Sequence, residues 1–128
     1  MGIKKKSEGY RNYVDKPWGY ELIVEKIHSV NPKVKGTTIH KILVVLANQE
    51  ISYQYHKYRY ETWCIKHGDC EISINGITYV KVFPGTIWKI EPGTKHSIKA
   101  ITPTVIDEWS QDYIEDDIIR LSDNYGRV

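Results

Sequence analysis

No apolar run in this chain is long enough to cross a bilayer, because charges or turn residues interrupt every one. The basic start, Met1-Gly-Ile-Lys-Lys-Lys6, lacks the apolar core of a signal peptide, so a cytoplasmic protein with no membrane partner is expected. Cysteine is scarce: Cys64 and Cys70 are the two present, and they do not form a CxxC pair. In a cytosolic chain they read as free, half-buried thiols. A dominant charge of one sign is missing too, since a net charge of +2 is too small to argue for a nucleic-acid surface. There is no internal repeat of solenoid length and no low-complexity segment.

What is present is one domain's worth of chain, 128 residues of which 41% are hydrophobic, enough to bury a core. The charge is unevenly spread. Cations gather in the first half, partly in the tail Lys4-Lys5-Lys6, and acids in the second, around Asp112, Glu115, Asp116 and Asp117. A small phosphate-bearing substrate fits this balance if a few cations face a pocket.

Residues 1–14 read as a poorly ordered start, and the domain as 15–128, opened by Asp15-Lys-Pro-Trp-Gly-Tyr-Glu21 with its Pro and Gly punctuation. Strands are expected at 21–24 and at 41–46, the second rich in β-branched residues. Short strands follow at 51–56, 61–66, 70–74, 77–82, 87–90, 96–101 and 104–109. Asn75-Gly76 is a two-residue hairpin signal, because both residues tolerate positive φ. Gly68-Asp69, Pro84-Gly85 and Pro92-Gly93 mark further turns. Only the stretch from Ile114 to Leu121 reads as a short helix. Many short antiparallel strands with regular turns mean an all-β sandwich or barrel.

Gln54 and His56 are two apart, so on a strand they share a face. Glu61 can sit on the next strand and His96 on a later one. Converging inside a small barrel, these four side chains would hold one divalent metal through oxygen and nitrogen. Two imidazoles, a carboxylate and an amide oxygen suit zinc first, with Mn, Co, Ni or Fe as alternatives, better than Ca or Mg. The competing reading is four ordinary polar residues at a barrel mouth. Lys41 lies on an otherwise apolar strand, where a purely solvated role is uncomfortable. Arg59 stands between His56 and Glu61, and Arg120 follows Asp116-Asp117; each is either a phosphate clamp or a structural ion-pair partner. Trp18 and Trp63 read as core. Tyr53 and Tyr55 fall on the face opposite Gln54 and His56, which suits packing or an oligomer interface. His28, His40 and His67 have no metal spacing and read as surface or structural.

Together these residues resemble the cupins. Gly68 closes a first motif half begun around Gln54 and His56, and Gly85 with Pro92-Gly-Thr-Lys-His96 forms a second. Within the cupins the chain resembles type II mannose-6-phosphate isomerase, a group of small stand-alone cupins and C-terminal domains of bifunctional GDP-mannose enzymes. The resemblance spans about residues 15 to 127. It is carried by Lys16-Pro-Trp-Gly-Tyr-Glu21, Lys41, Ser52-Tyr-Gln-Tyr-His56, Arg59-Tyr-Glu-Thr-Trp63, Gly93-x-x-His96, Asp116-Asp-Ile-Ile-Arg120 and Asp123-Asn-Tyr-Gly-Arg127. Ala47-Asn48 replaces the Pro-Gly turn of that group, Glu91-Pro92 shifts a proline by one position, and Ala100 stands where the group often has Asn. No Gly-rich phosphate loop is visible, so guanylyl transfer is not expected.

The resemblance implies a single jelly-roll barrel that isomerises mannose 6-phosphate to fructose 6-phosphate through an enediol. The metal, held by Gln54, His56, Glu61 and His96, would act as a Lewis acid. Arg59, Lys41 and Arg120 would bind the substrate, with Lys41 also a candidate acid. Glu108 matches a carboxylate of the pattern and is one candidate base, a metal-held hydroxide the other. Two further readings stand beside this one. The first is a metal-containing sugar-binding cupin without turnover. The second is a non-haem iron oxygenase, which Gln54 as a fourth ligand argues against. Strand edges and tyrosine-rich faces suggest a homodimer.

Overall fold

The computed structural model describes residues 12–28, 37–112 and 116–128. Among them are eleven strands and no helix. In chain order they are β1 (Tyr13–Lys16), β2 (Gly19–His28), β3 (Thr37–Val45), β4 (Tyr53–Tyr55), β5 (Tyr60–His67) and β6 (Cys70–Ile74). There follow β7 (Ile77–Val82), β8 (Ile87–Ile90), β9 (His96–Ala100), β10 (Thr104–Gln111) and β11 (Ile119–Ser122). They form two antiparallel sheets, one ordered β1-β2-β3-β10-β5-β8 and the other β11-β4-β9-β6-β7. This is the expected jelly roll.

The central strands β3, β10 and β5 keep their place through period-two alternation. On β3, Ile39, Lys41, Leu43 and Val45 are buried and their neighbours only half so. On β10 the buried set is Thr104, Ile106, Glu108 and Ser110, and on β5 it is Glu61, Trp63 and Ile65. A one-residue slip would turn every one of these outward, so burial of the inner face pins the register. Trp63, Ile65, Ile72, Ile98 and Ile106 fill the space between the sheets. The same alternation carries polar side chains inside. Glu108 lies opposite Lys41 of β3 and opposite Trp63 of β5, so three chemically distinct side chains share one row across three strands. On β2 a bulge at Val24 shifts the pairing, so that Ile23 faces Lys41 whereas Lys26 faces Ile39. The extra residue turns Lys26 toward the interior face.

The nine strands expected from the pattern are all present, with two differences. β1 is an additional strand, and it begins at Tyr13, inside the segment read as a poorly ordered start; residues 1–11 lie outside the described ones. The helix expected from Ile114 to Leu121 is replaced, over its described part, by the turn at Asp116 and strand β11. Tertiary pairing is the reason: β11 adds to β4, with Ile119 against Tyr55 and Arg120 against Gln54, and the β-branched Ile119 suits a strand. The cysteines are free, Cys64 half-buried and Cys70 fully buried. Burial, with Asp69 and Glu71 nearby, pushes the Cys70 thiol up to about 11.

Two turns show why particular residues occupy them. Asn48 takes φ 64°, so it adopts the left-handed conformation that the glycine of a Pro-Gly turn would supply. Gly68 has φ 89°, and a Cβ there would meet the Pro103 carbonyl oxygen at 2.2 Å. Gly68→Ala therefore combines backbone strain with a collision against rigid main chain. The expected loss is on the order of 2–3 kcal/mol, read as a lower urea midpoint with unchanged slope.

Candidate metal centre

His56 lies in the loop between β4 and β5, Glu61 at the start of β5 and His96 at the start of β9. The jelly roll brings the three to one point inside the barrel, where each is almost fully buried. Glu61 Oε2 is 3.4 Å from His56 Nε2, and Glu61 Oε1 is 3.3 Å from His96 Nε2.

The tautomers follow from the backbone. His56 Nδ1–H donates to the Asp117 carbonyl at 2.6 Å, and His96 Nδ1–H donates to the Thr94 carbonyl at 2.8 Å. A carbonyl oxygen only accepts, so each Nδ1 carries the proton and each Nε2 turns a lone pair toward the carboxylate. Glu61 Oε1 and His96 Nε2 are buried and make no aligned hydrogen bond among the described residues. Three electron-pair donors thus converge with nothing between them. Their 3.3–3.4 Å spacing is that of neighbouring ligands on an ion with bonds of about 2.1 Å. The donor set and its orphaned atoms fit a divalent metal. Without one, only a shared proton relieves the crowding. Burial pushes Glu61 upward, but in the metal-free cluster a proton shared with His56 and His96 outweighs it and holds the carboxyl well below its ordinary range. Burial likewise opposes charge on His96, but Glu61 more than compensates and raises it.

Gln54 stands directly across from His96 on the adjoining strand and faces the same cavity. Its amide oxygen accepts the Ser52 hydroxyl at 2.5 Å. Arg59 reaches the cluster from behind, with Nη1 3.1 Å from Glu61 Oε2 and 3.5 Å from His56 Nε2. The cavity alongside has a volume of about 210 Å³ and contains Glu61, Gln54, Arg59, Lys41, Glu108 and Arg120 in its wall. Lys41 is buried and pairs with Glu21 at 3.2 Å. Glu108 is buried and accepts the Trp63 indole N–H at 2.9 Å. Burial first, and then repulsion from Glu61, pushes Glu108 up to about 7 despite Lys41, Trp63 and Arg59. Such a carboxyl is poised to take or give a proton near neutrality.

The chain also uses residues that spacing did not single out. Asp117 is the main one. Its Oδ1 accepts the Lys57 N–H at 2.7 Å, and its Oδ2 accepts those of Tyr58 and Arg59 at 2.8 and 3.1 Å. One side chain therefore closes the loop between His56 and Glu61, while its own carbonyl sets the His56 tautomer. Burial works against its charge, but the three backbone donors keep its carboxyl below the ordinary value. On the other side, Gly93 N–H donates to the His56 carbonyl at 2.7 Å, which ties the Pro92-Gly93 turn to the same loop. Glu21 and the indole of Trp63 were legible only as motif and core. Trp63 is fully buried and Trp18 nearly so, as expected. His40 is on the outer face, stacked on Trp109 at 3.9 Å and bonded to Asp107, apart from the centre.

No protein-family model matches the chain. Among curated proteins it is similar to a mannose-1-phosphate guanylyltransferase of Salmonella montevideo, at 35% identity over 91 residues, 68% of this chain and 19% of that protein. It is also similar to the mannose-1-phosphate guanylyltransferase ManC of Salmonella typhimurium, at 29% identity over 119 residues, 90% of this chain and 23% of that one. The chain thus spans about a fifth of the length of the curated relatives it matches. Solved structures share its fold. KdgF from Halomonas sp. superposes with a TM-score of 0.68 at 15% identity, over 81% of this chain and 88% of its own. The capsular polysaccharide assembling protein CapF from Staphylococcus aureus gives 0.70 at 15%, over 86% and 34%. An RmlC-like cupin from Shewanella frigidimarina gives 0.66 at 12%, over 81% and 86%.

Two outcomes are expected of this geometry. Asp117→Asn should weaken zinc or cobalt binding by about 10- to 100-fold in a chelator competition, because the His56 loop loses its anionic anchor. In metal-free protein, Glu108 retains a proton up to about 7 that the unfolded chain releases near its ordinary value of 4.5. Its contribution to stability therefore falls as pH rises across that window. Urea unfolding at stepped pH should show this decline in wild type and a flatter profile in Glu108→Gln.

Proposed function

We propose that this chain, which has the cupin fold and resembles the isomerase-type cupins of mannose metabolism, is a metal-dependent sugar-phosphate isomerase interconverting mannose 6-phosphate and fructose 6-phosphate. The observation that carries the reading is the pairing of a buried His-Glu-His centre with a second buried carboxyl, Glu108, in the wall of one cation-lined cavity. The similarity to two mannose-1-phosphate guanylyltransferases supports a carbohydrate role.

An aldose–ketose exchange moves one proton from C2 to C1 and one from O2 to O1. His56, Glu61 and His96, with Gln54 beside them, would hold the metal, which as a Lewis acid supplies stabilisation of negative charge on the sugar oxygens. Glu108, as carboxylate, takes the C2 proton, and the resulting enediolate recovers it at C1. Microscopic reversibility assigns the same group to both directions. The raised pKa suits it to hold the proton between the two steps. Lys41, its cross-strand neighbour, supplies a fixed positive charge beside the developing oxyanion, and the ammonium can donate to O1 or O2. Trp63 orients the Glu108 carboxyl through its indole N–H. Arg59 is held on Glu61, so its charge serves the metal end of the cavity.

The test is a coupled assay with mannose 6-phosphate on protein stripped and reloaded with Zn, Mn, Co, Ni or Fe. Metal-dependent fructose 6-phosphate formation is expected, together with loss of both bound metal and turnover in His56→Ala. Glu108→Gln should keep the metal and lose about 10²- to 10⁴-fold in kcat. Stoichiometric metal with no turnover of mannose 6-phosphate would overturn the proposed reaction.

A further inference from the structure

The cations that line the cavity are not equivalent. Lys41 is engaged by Glu21 and Arg59 by Glu61, so both sit beside a carboxylate on or near the metal side. The other flank differs. Arg120, on the edge strand β11, faces the cavity, and its buried Nε finds no hydrogen-bond partner among the described residues. Arg127 lines the same cavity. Asp123 grips it through the backbone N–H and through Nε and Nη2, at 2.8, 2.9 and 2.8 Å. That buckle presents a fixed guanidinium near a second one. Lys16, from the edge strand β1 of the other sheet, adds an ammonium 3.9 Å from Glu21, a carboxylate already closer to Lys41.

Residues of β1, β11 and the C-terminal segment thus line one cavity with cations paired to different degrees: Arg127 tightly, Lys16 loosely, and Arg120 with no bond at its Nε among the described residues. Counting the whole wall, six Lys and Arg side chains face three Glu. Burial first, and then the neighbouring Arg127, press Arg120 below the ordinary guanidinium value, with Asp123 partly offsetting both effects. An anion between them would relieve that repulsion and take the orphaned Nε–H. A guanidinium fork matches phosphate better than it matches a lone oxygen.

We infer that Arg120, Arg127 and Lys16 form a phosphomonoester subsite at the edge-strand flank of the cavity, which orients a sugar so that its carbonyl end reaches the metal ligands and Glu108. This deepens the function proposed above and rests on it for the identity of the sugar. It also divides the three cations expected from the sequence: Arg120 binds the phosphate, while Lys41 and Arg59 serve the reacting end.

The experiment needs no turnover. Metal-free full-length protein is titrated with inorganic phosphate, with sodium chloride at matched ionic strength and sodium acetate as controls, and the melting temperature is followed. Wild type should show a saturable rise with phosphate, well above that with chloride or acetate. Arg120→Gln should weaken the apparent phosphate affinity by about 10-fold or more, and Lys16→Gln by several-fold. Lys66→Gln, on the outer face beside Asp107, should respond as wild type does. If Arg120→Gln does not fold, Lys16→Gln decides the matter. A phosphate response unchanged in these variants, or matched by acetate, overturns the subsite. The two proposals then separate cleanly. A phosphate response that depends on Arg120, without isomerisation of mannose 6-phosphate, leaves the subsite standing and removes the isomerase. Isomerisation with an unaltered KM in Arg120→Gln does the reverse.

Discussion

The constraint on which the rest depends is the burial of Glu61. A carboxylate taken out of water without compensation would cost several kcal/mol, so everything around this one is arranged to meet its charge. Two imidazoles turn their Nε2 atoms on it, a guanidinium contacts one oxygen, and the other oxygen is left without an aligned donor. Those neighbours are themselves fixed from outside, by Asp117 and Thr94 carbonyls acting on Nδ1. The result is a cluster whose geometry is fixed by the protein itself, as a metal centre would require.

That preorganisation depends on chain segments far apart in sequence. Asp117 reaches back about sixty residues to close the loop that carries His56 and Arg59. The strand that follows it then pairs with β4, beside Gln54. The C-terminal segment is therefore part of the centre and of the cavity, since it supplies Asp117, Arg120 and Arg127. Tyr125 fastens the same segment to Gln49 at 2.5 Å and packs against the core. The barrel closes its site with its own tail.

Charge is graded across the cavity. Acidic groups gather toward the central strands β10 and β5, where Glu108 and Glu61 face inward, and the edge strands β1 and β11 contribute Lys16 and Arg120, of which Arg120 has no bond at its Nε among the described residues. The Glu61 charge and the burial shared by both carboxyls raise Glu108, so one acid stays ionised while its neighbour titrates near neutrality. Two carboxyls with separated affinities for protons are what a site needs if one is to hold a cation and the other to move a proton.

The jelly roll was legible in the sequence because short apolar or alternating runs recur and most of the turns between them carry Gly, Pro or Asn. Those are local properties, and the register follows from burying one face. The convergence of His56, Glu61 and His96, with Gln54 across from His96, was legible as well, from the parity of Gln54 and His56 and from the cupin-like halves that hold Glu61 and His96. Lys41 announced itself as a charge on an apolar strand. The tail misled, because a short acidic stretch with three isoleucines satisfies helix and strand patterns equally, and only an open edge on β4 decides between them. Asp117 could not be told from Asp116, since what distinguishes it is three backbone N–H groups from another part of the chain. The raised pKa of Glu108 and the division of the cations between two flanks were also decided by tertiary structure. Both arise from distances between residues that no local pattern encodes, in an interior where water is too scarce to screen them.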